Sequence, residues 1–225
     1  MLLSDQQIRE EIEAGTFTIE PFEDACLQPA SYDLRIGRKA FTSSSRELVN
    51  LEEKGIVQIE PGEFAVVETL ERVAMGPQAA GLLGLRSEYA RRGLLMLSGP
   101  QVDPGFEGIL VVRLVNVGTS RVALSFGEPL LTLEVVKLTQ PVAKPYAGPY
   151  QHQKGITSRD IQELTQTEGL TLGQVLQTLN ALAADVSDLA RQVERLRGSV
   201  GRLSWAVPAI VAFGIAVIAA IIALK

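Results

Sequence analysis

The stretch Val102-Asp103-Pro104-Gly105-Phe106-Glu107-Gly108-Ile109-Leu110-Val111-Val112-Arg113-Leu114-Val115-Asn116-Val117-Gly118 decides the fold. A tight Asp-Pro-Gly turn opens onto a run of β-branched and aliphatic residues, and Asn-Val-Gly closes it, so residues 109–115 read as a strand between two turns. The same alternation continues on either side. Residues 32–36, 56–59, 64–67, 122–124 and 130–136 read as strands, punctuated by turns such as Glu60-Pro61-Gly62-Glu63 and Phe126-Gly127-Glu128-Pro129. The start is helical: Ser4 can cap a helix with Gln7 three residues on, Leu3 can staple to Ile8, and Gly15 ends the turn. Many short strands with one non-strand insert give a mainly β head over residues 1–158, a jelly-roll-like sandwich or barrel.

Downstream of the head the pattern changes twice. Leu172, Val175, Leu179, Leu182, Val186, Leu189, Val193, Leu196, Val200 and Leu203 follow one another at alternating spacings of three and four, a heptad seam of about four and a half repeats. Residues 172–202 therefore read as a parallel coiled-coil stalk, joined to the head by a polar linker over 159–171. A single amphipathic helix folded back on the head is the other arrangement such a seam permits. From Leu203 to Leu224 the chain carries no charge for 22 residues. At about 1.5 Å per residue that run reaches roughly 33 Å, enough to cross a hydrocarbon core, so 203–225 reads as a transmembrane helix. Arg191, Arg195, Arg197 and Arg202 on its amino-terminal side place the head in the cytoplasm by the positive-inside tendency. Met1-Leu2-Leu3-Ser4-Asp5 lacks the basic region and apolar core of a secretory signal. The lone Cys26 cannot close an internal disulfide and fits a reducing compartment.

Charge excludes one class of partner. Among 225 residues, 26 are acidic and 21 basic, a net charge of -5, whereas a nucleic-acid surface calls for a basic excess. The densest basic cluster lies in the insert Arg86-Ser87-Glu88-Tyr89-Ala90-Arg91-Arg92-Gly93-Leu94. Its arginines and serine suit an anion such as a phosphate chain, though a solvated surface helix has the same composition. Asp103 is likewise either a turn former or a catalytic carboxylate.

Taken as an ordered set, the segments resemble the dCTP deaminase branch of the trimeric dUTPase superfamily. The residues that carry the resemblance are Gln28-Pro29-Ala30-Ser31-Tyr32-Asp33-Leu34-Arg35-Ile36-Gly37, Pro61-Gly62-Glu63-Phe64, Thr69-Leu70-Glu71-Arg72-Val73, Gly84-Leu85-Arg86-Ser87, Ala90-Arg91-Arg92-Gly93-Leu94, Val102-Asp103-Pro104-Gly105-Phe106-Glu107-Gly108, Asn116, Gly127, Tyr150-Gln151-His152-Gln153-Lys154-Gly155 and Ser158-Arg159. The resemblance implies a distorted jelly-roll protomer, a homotrimer with deoxynucleoside triphosphate sites at subunit boundaries, a carboxyl-terminal segment folding over the nucleotide, and Mg²⁺ carried by the triphosphate with no protein metal cage. It places Arg86, Ser87 and Arg91 at the phosphates, Asp103 at the sugar and base, and Gln153 in the closing segment.

Departures from that pattern bear on chemistry. Deaminases of the family place a glutamate three residues before the asparagine matched by Asn116, where it moves protons as water attacks the amino-bearing carbon of cytosine. This chain has Arg113, a guanidinium that cannot act as a base. Glu88 stands where a serine usually lies beside the triphosphate and repels an anion unless neutralised. Pro149 replaces the lysine before the lid tyrosine, with Lys154 near enough in sequence to substitute, and Pro100 alters the backbone before the Asp103 turn. Arg113 and Glu88 could pair with each other, within one chain or across a subunit boundary.

These readings converge on a membrane-anchored, trimeric nucleotide-binding or structural head that has lost deaminase chemistry. One alternative is an active hydrolase of the dUTPase type, in which Asp103 activates water against a metal-bound triphosphate. The other is an assembly protein that uses the trimer as a rigid head. Valine at heptad position a with leucine at d leans towards two strands, while the head implies three; the head is expected to dominate because it buries more surface.

Overall fold

The computed structural model describes residues 1–167, 178–192 and 211. These belong to two bodies, the head and a carboxyl-terminal unit, each described by itself. In chain order the head comprises helix α1 (Asp5–Glu13), strands β1 (Phe17–Glu20), β2 (Leu27–Gln28), β3 (Ser31–Thr42) and β4 (Leu48–Asn50), helix α2 (Leu51–Lys54), strands β5 (Ile56–Ile59), β6 (Phe64–Met75) and β7 (Ala79–Leu85), helix α3 (Ser87–Arg91), strands β8 (Leu94–Met96), β9 (Gln101–Val102), β10 (Glu107–Asn116), β11 (Val122–Ser125) and β12 (Pro129–Lys137), and helix α4 (Ser158–Thr167). The strands read from sequence at 32–36, 56–59, 64–67, 109–115, 122–124 and 130–136 are all present, several of them longer than read.

A curled antiparallel sheet runs β8-β10-β6-β3-β12-β7-β9, with β1 added to β6, β2 and β4 added to β3, and β11 paired separately with β5. Register shifts in β3, β10 and β12 supply local bends, because an extra residue in one strand sharpens its twist. Such a curled, mainly β head is consistent with the jelly-roll expectation. Helix α1 begins in a reciprocal capping box: the Ser4 hydroxyl accepts from the Gln7 N–H at 3.4 Å, and the Gln7 side chain accepts from the Ser4 N–H at 3.0 Å.

Strand β10 shows how alternation places the later site. Gly108, Leu110, Val112 and Leu114 are buried, the last three in the main core, while Ile109, Val111 and Arg113 are half-buried on the opposite face. Each fully buried leucine contributes about 1.5–3 kcal/mol. One pair of charges is neutralised between β3 and β6: Arg35 Nε donates to the fully buried Glu71 at 2.6 Å and the Arg35 N–H donates to it at 2.8 Å. Burial pushes the Glu71 carboxyl above its ordinary range against those hydrogen bonds.

The stretch expected as a polar linker, 159–171, instead carries α4. Thr157 and Asp160 cap it, with the Thr157 N–H and hydroxyl donating to Asp160 Oδ2 at 2.9 and 2.6 Å and the Asp160 N–H donating back to the Thr157 hydroxyl at 3.4 Å. Leu164 and Ile161, three residues apart on one helix face, pack with Phe41, Val66, Phe64, Val111 and Ile156 in a second apolar cluster. The helix forms because that cluster gives its apolar stripe a place to bury.

Of the stalk expected over 172–202, residues 178–192 are described and are helical; we label this helix α5. Leu179, Leu182, Val186 and Leu189 are exposed on it. The remainder of that stretch, and all of 203–225 except Val211, lie outside the described residues. No helix among the described residues is long and apolar enough to cross a membrane.

Candidate functional site

A cavity of about 460 Å³ opens beside the Asp-Pro-Gly turn, lined by Asp103, Arg113, Gln153, Asp160 and Glu163 among its polar groups and by Phe106, Tyr146 and Leu110 among its apolar ones. The turn is held by its own backbone, with the Phe106 N–H donating to Asp103 O at 3.1 Å and the Gly105 N–H to Met75 O at 2.8 Å. Gly105 adopts φ +90, and a Cβ there would lie 2.9 Å from the Tyr146 nitrogen, so glycine serves both the turn and the close passage of the later chain. Tyr146 follows that passage by donating its N–H to Pro104 O at 2.8 Å.

The segment after Tyr146 brings Gln153 into the cavity by strand-like pairing with the start of β10. The His152 N–H donates to Glu107 O at 2.7 Å and the Ile109 N–H to Gln153 O at 2.8 Å. Gln151 ties the same turn from its side chain, accepting from the Glu107 N–H at 3.1 Å and donating to Gly105 O at 2.9 Å. Further on, the Ile156 N–H donates to Glu68 Oε2 at 3.0 Å, and burial pushes that carboxyl above its ordinary range. The closing segment is thus fixed at three points along the head.

Arg113 enters the cavity from β10 and meets a partner that sequence reasoning missed. Its Nη2 forms an ion pair with Glu163 of α4, which also accepts from Arg159 Nε at 2.8 Å. Hydrogen bonds from Arg113 and then Arg159 hold the Glu163 carboxyl below the usual carboxylate range. The Arg113 N–H donates to the Ser98 hydroxyl at 2.8 Å, fixing the strand at this point. A readable signal for α4 does exist: Thr157-Ser158-Arg159-Asp160 is a capping sequence, and Ile161 with Leu164 begins an apolar stripe.

The three acidic side chains of this cavity differ in what holds them. Asp160 is engaged by the Thr157 cap, and Glu163 by two arginines. Asp103 accepts from the neutral Gln101 amide at 2.8 Å. Asp103 thus differs from the other two in having a neutral partner.

The other residues read from sequence lie elsewhere in the chain. Arg86 forms an ion pair with the buried Asp33 and lines a hollow of about 470 Å³ with Glu88, Tyr89, Arg92 and Glu128. Ser87 opens α3 beside it. Glu88 lies 4.0 Å from Arg92, so within one chain Glu88 and Arg113 face different partners and line different cavities. Tyr89 donates to Glu128 Oε2 at 3.2 Å, and burial pushes its hydroxyl up to about 12. Arg91 lines a shallow hollow with Gly93, Gly118 and Arg121. Lys154 lines a small cavity of about 220 Å³ with Arg38, Lys39 and Glu68. Pro149 is exposed in the turn before Tyr150, and Pro100 O accepts from the Leu83 N–H at 2.6 Å. One chain thus brings together Asp103, Gln153 and Arg113, and leaves Arg86, Ser87, Arg91 and Lys154 apart from them.

Among the described residues no group of three or more His, Cys, Asp and Glu side chains converges as a metal site.

Comparison with known proteins assigns the family. A profile described as dCTP deaminase-like matches residues 2–137. The chain is 43% identical over 151 residues to a dCTP deaminase of Pyrococcus horikoshii, covering 67% of this chain and 92% of that protein. It is 31% identical over 166 residues to a dUMP-forming dCTP deaminase of Aquifex aeolicus, covering 69% of this chain and 92% of that one. In fold it is similar to the crystal structure of 2'-deoxycytidine 5'-triphosphate deaminase from Agrobacterium tumefaciens, with a TM-score of 0.52 at 17% identity over 74% of this chain. The chain spans about half of that structure, 53% of its length. With the profile spanning more than half of the chain and the Pyrococcus protein matched over nearly its whole length, the chain belongs to the dCTP deaminase-like family.

Proposed function

We propose that the head binds a deoxynucleoside triphosphate, with Mg²⁺ carried on the triphosphate, and has lost the deaminase step of its family. The observation that carries this reading is Arg113, which lines the cavity with Asp103 and Gln153 at the position where the family resemblance implies the proton-carrying glutamate. Deamination needs a group that takes a proton from the attacking water and delivers it to the departing ammonia; an arginine whose Nη2 is bonded to Glu163 can do neither. The phosphate-side residues Arg86, Ser87 and Arg91 belong to a different part of the same chain, so a site that uses both sets is assembled from more than one subunit, in keeping with a homotrimer.

The carboxyl-terminal part tethers this head to a membrane. Residues 203–225 form a transmembrane helix with the head on the cytoplasmic side, and 172–202 form the stalk. Support for the stalk comes from α5, where Leu179, Leu182, Val186 and Leu189 are exposed at spacings of three, four and three.

A second reading rests on Asp103, the cavity's carboxylate that neither an arginine nor a helix cap engages. In it, Asp103 takes a proton from water as the water oxygen bonds to the α-phosphorus, and the bond to the β-phosphate breaks to release pyrophosphate with its Mg²⁺. The detergent-solubilised full chain, titrated with dCTP and dUTP in the presence of Mg²⁺ while ammonia and pyrophosphate are followed, separates the two. Binding without either product is expected. Ammonia from dCTP would overturn the loss of deamination, and pyrophosphate from dUTP would select the hydrolase.

A further inference from the structure

We propose that Glu68 is a positioning residue of the nucleotide cavity: from β6 it holds the peptide between Gly155 and Ile156, and through that peptide it sets the Gln153 side chain. The inference rests on the nucleotide-binding reading above and adds a residue that acts on the site from outside it.

Glu68 is buried, at 6% exposure, and lines the small cavity with Arg38, Lys39 and Lys154, not the one that holds Asp103 and Arg113. Its Oε2 accepts from the Ile156 N–H at 3.0 Å. Gly155 adopts φ +131, and a Cβ there would collide with that same oxygen, so the segment passes against the carboxylate only because residue 155 has no side chain. On the other side, the Gly155 carbonyl accepts from Gln153 Nε2 at 3.4 Å, and Gln153 lines the cavity with Asp103 and Arg113. The Gly155 carbonyl and the Ile156 N–H are the two ends of one planar trans peptide. A carboxylate that holds the N–H therefore aims the carbonyl the opposite way, towards Gln153.

The main chain and the side chain of Gln153 thus have different supports. Pairing with β10 settles the main chain, with the Ile109 N–H donating to Gln153 O at 2.8 Å and the His152 N–H to Glu107 O at 2.7 Å. That pairing leaves the side-chain torsions open, and the Gly155 carbonyl restrains them by accepting one amide N–H. The amide oxygen and the second N–H remain for a ligand. Without Glu68 the peptide can turn over, because glycine at one end of it tolerates either orientation, and the Gln153 amide loses its acceptor. Helix α4 does not depend on this contact, since the Thr157–Asp160 cap starts it and buried Leu164 docks it on Phe41 and Val66.

Calorimetric titration of the detergent-solubilised full chain with dUTP and dCTP, each with Mg²⁺, tests this on wild type, E68Q, E68A, Q153A and E68A/Q153A. E68A is expected to bind roughly 3- to 10-fold more weakly than wild type, within the range for residues coupled through one hydrogen-bond network. E68Q keeps an acceptor for the Ile156 N–H and is expected to stay within about 2-fold of wild type. The decisive comparison is the double variant: if Glu68 acts through Gln153, E68A/Q153A binds no more weakly than Q153A alone. A general loosening of the fold would instead add the two losses. If E68A folds poorly, G155A takes its place in the same cycle, because it forces the peptide off Glu68 and leaves the carboxylate intact. Wild-type affinity in E68A, a loss in E68Q equal to that in E68A, or losses that add in the double variant would each overturn the positioning role and leave nucleotide binding standing. Absence of nucleotide binding in wild type sinks both.

Discussion

Gly108 and Gln153 lie side by side as a parallel bridge, and a Cβ on Gly108 would sit 2.8 Å from the Gln153 nitrogen and 3.0 Å from its carbonyl oxygen. The closing segment can approach β10 only because residue 108 has no side chain. G108A should therefore push residues 151–155 off the head at a cost of about 1–3 kcal/mol, the range for overpacking. Since Gln153 lines the cavity with Asp103, the same substitution should weaken nucleotide binding while the β-sheet stays intact. Hydrogen exchange would show rising exchange confined to the closing segment, with β6 and β12 unchanged. Unaltered exchange at residues 151–155 would mean that the segment is held by other contacts.

Glu68 is the second anchor of that segment, and its substitutions separate hydrogen bonding from charge. Burial raises its carboxyl pKa, so between the unfolded value, about 4.3, and the higher folded value the folded head binds the proton more readily than the unfolded chain does. The stability Glu68 contributes is therefore fully present below the unfolded value and declines as pH rises through the folded one. E68Q keeps an acceptor for the Ile156 N–H and cannot ionise, so its melting temperature should decline less than that of wild type as pH rises from about 4 to 7. E68A leaves that N–H without its acceptor and should cost about 1–3 kcal/mol. Parallel melting curves for wild type and E68Q across that range would refute the shift.

Much of the head could be read from sequence because strong signals stood at its turns. Asp103-Pro104-Gly105 and Asn116-Val117-Gly118 bracket β10, and aliphatic runs mark β6 and β12. Strand β7, by contrast, has the sequence Ala79-Ala80-Gly81-Leu82-Leu83-Gly84-Leu85, poor in β-branched residues; it is a strand because β12 and β9 pair with its two edges. Helix α4 has a weaker local signal, a Thr157–Asp160 cap followed by only two apolar positions, and what makes those positions sufficient is a cluster from β3, β6 and β10 that sequence order cannot place. For the site, Arg113 drew attention as a departure from the family pattern. Its partner Glu163 lies 50 residues away in the chain, beyond any local spacing rule.

The ion pair predicts its own pH dependence. Arg113 and Arg159 hold the Glu163 carboxyl below its ordinary range, so the folded head loses that proton more readily than the unfolded chain. Its contribution is present above the unfolded value, about 4.3, and is lost as pH falls through the lower folded value. The melting temperature of wild type should exceed that of E163Q at neutral pH, and the gap should close below about pH 4. High salt at neutral pH should narrow the same gap, because a third of each side chain is in water. A gap that is constant from neutral to acid pH would show that Glu163 stabilises α4 by packing and not by charge.

Restoring a carboxylate on β10 is the sharpest test of how the site changed. R113E alone places a second negative charge against Glu163, and two carboxylates sharing one site raise each other's pKa and repel where a pair had formed. Its melting temperature should drop below that of wild type, and the charge-swapped R113E/E163R should recover it, since the pair re-forms with its polarity reversed. In that swapped protein the carboxylate on β10 is again bonded to an arginine and is a poor proton carrier, so no ammonia should leave dCTP. R113E/E163Q puts a carboxylate at position 113 in the cavity that holds Asp103 and removes both charges of the Arg113–Glu163 pair. Ammonia release from dCTP should be measurable in this variant and absent in R113E, R113E/E163R and wild type. If R113E/E163Q binds dCTP and still releases none, the block lies in a further departure, with Pro100 beside the Asp103 turn and Glu88 near Arg86 the next positions to reverse.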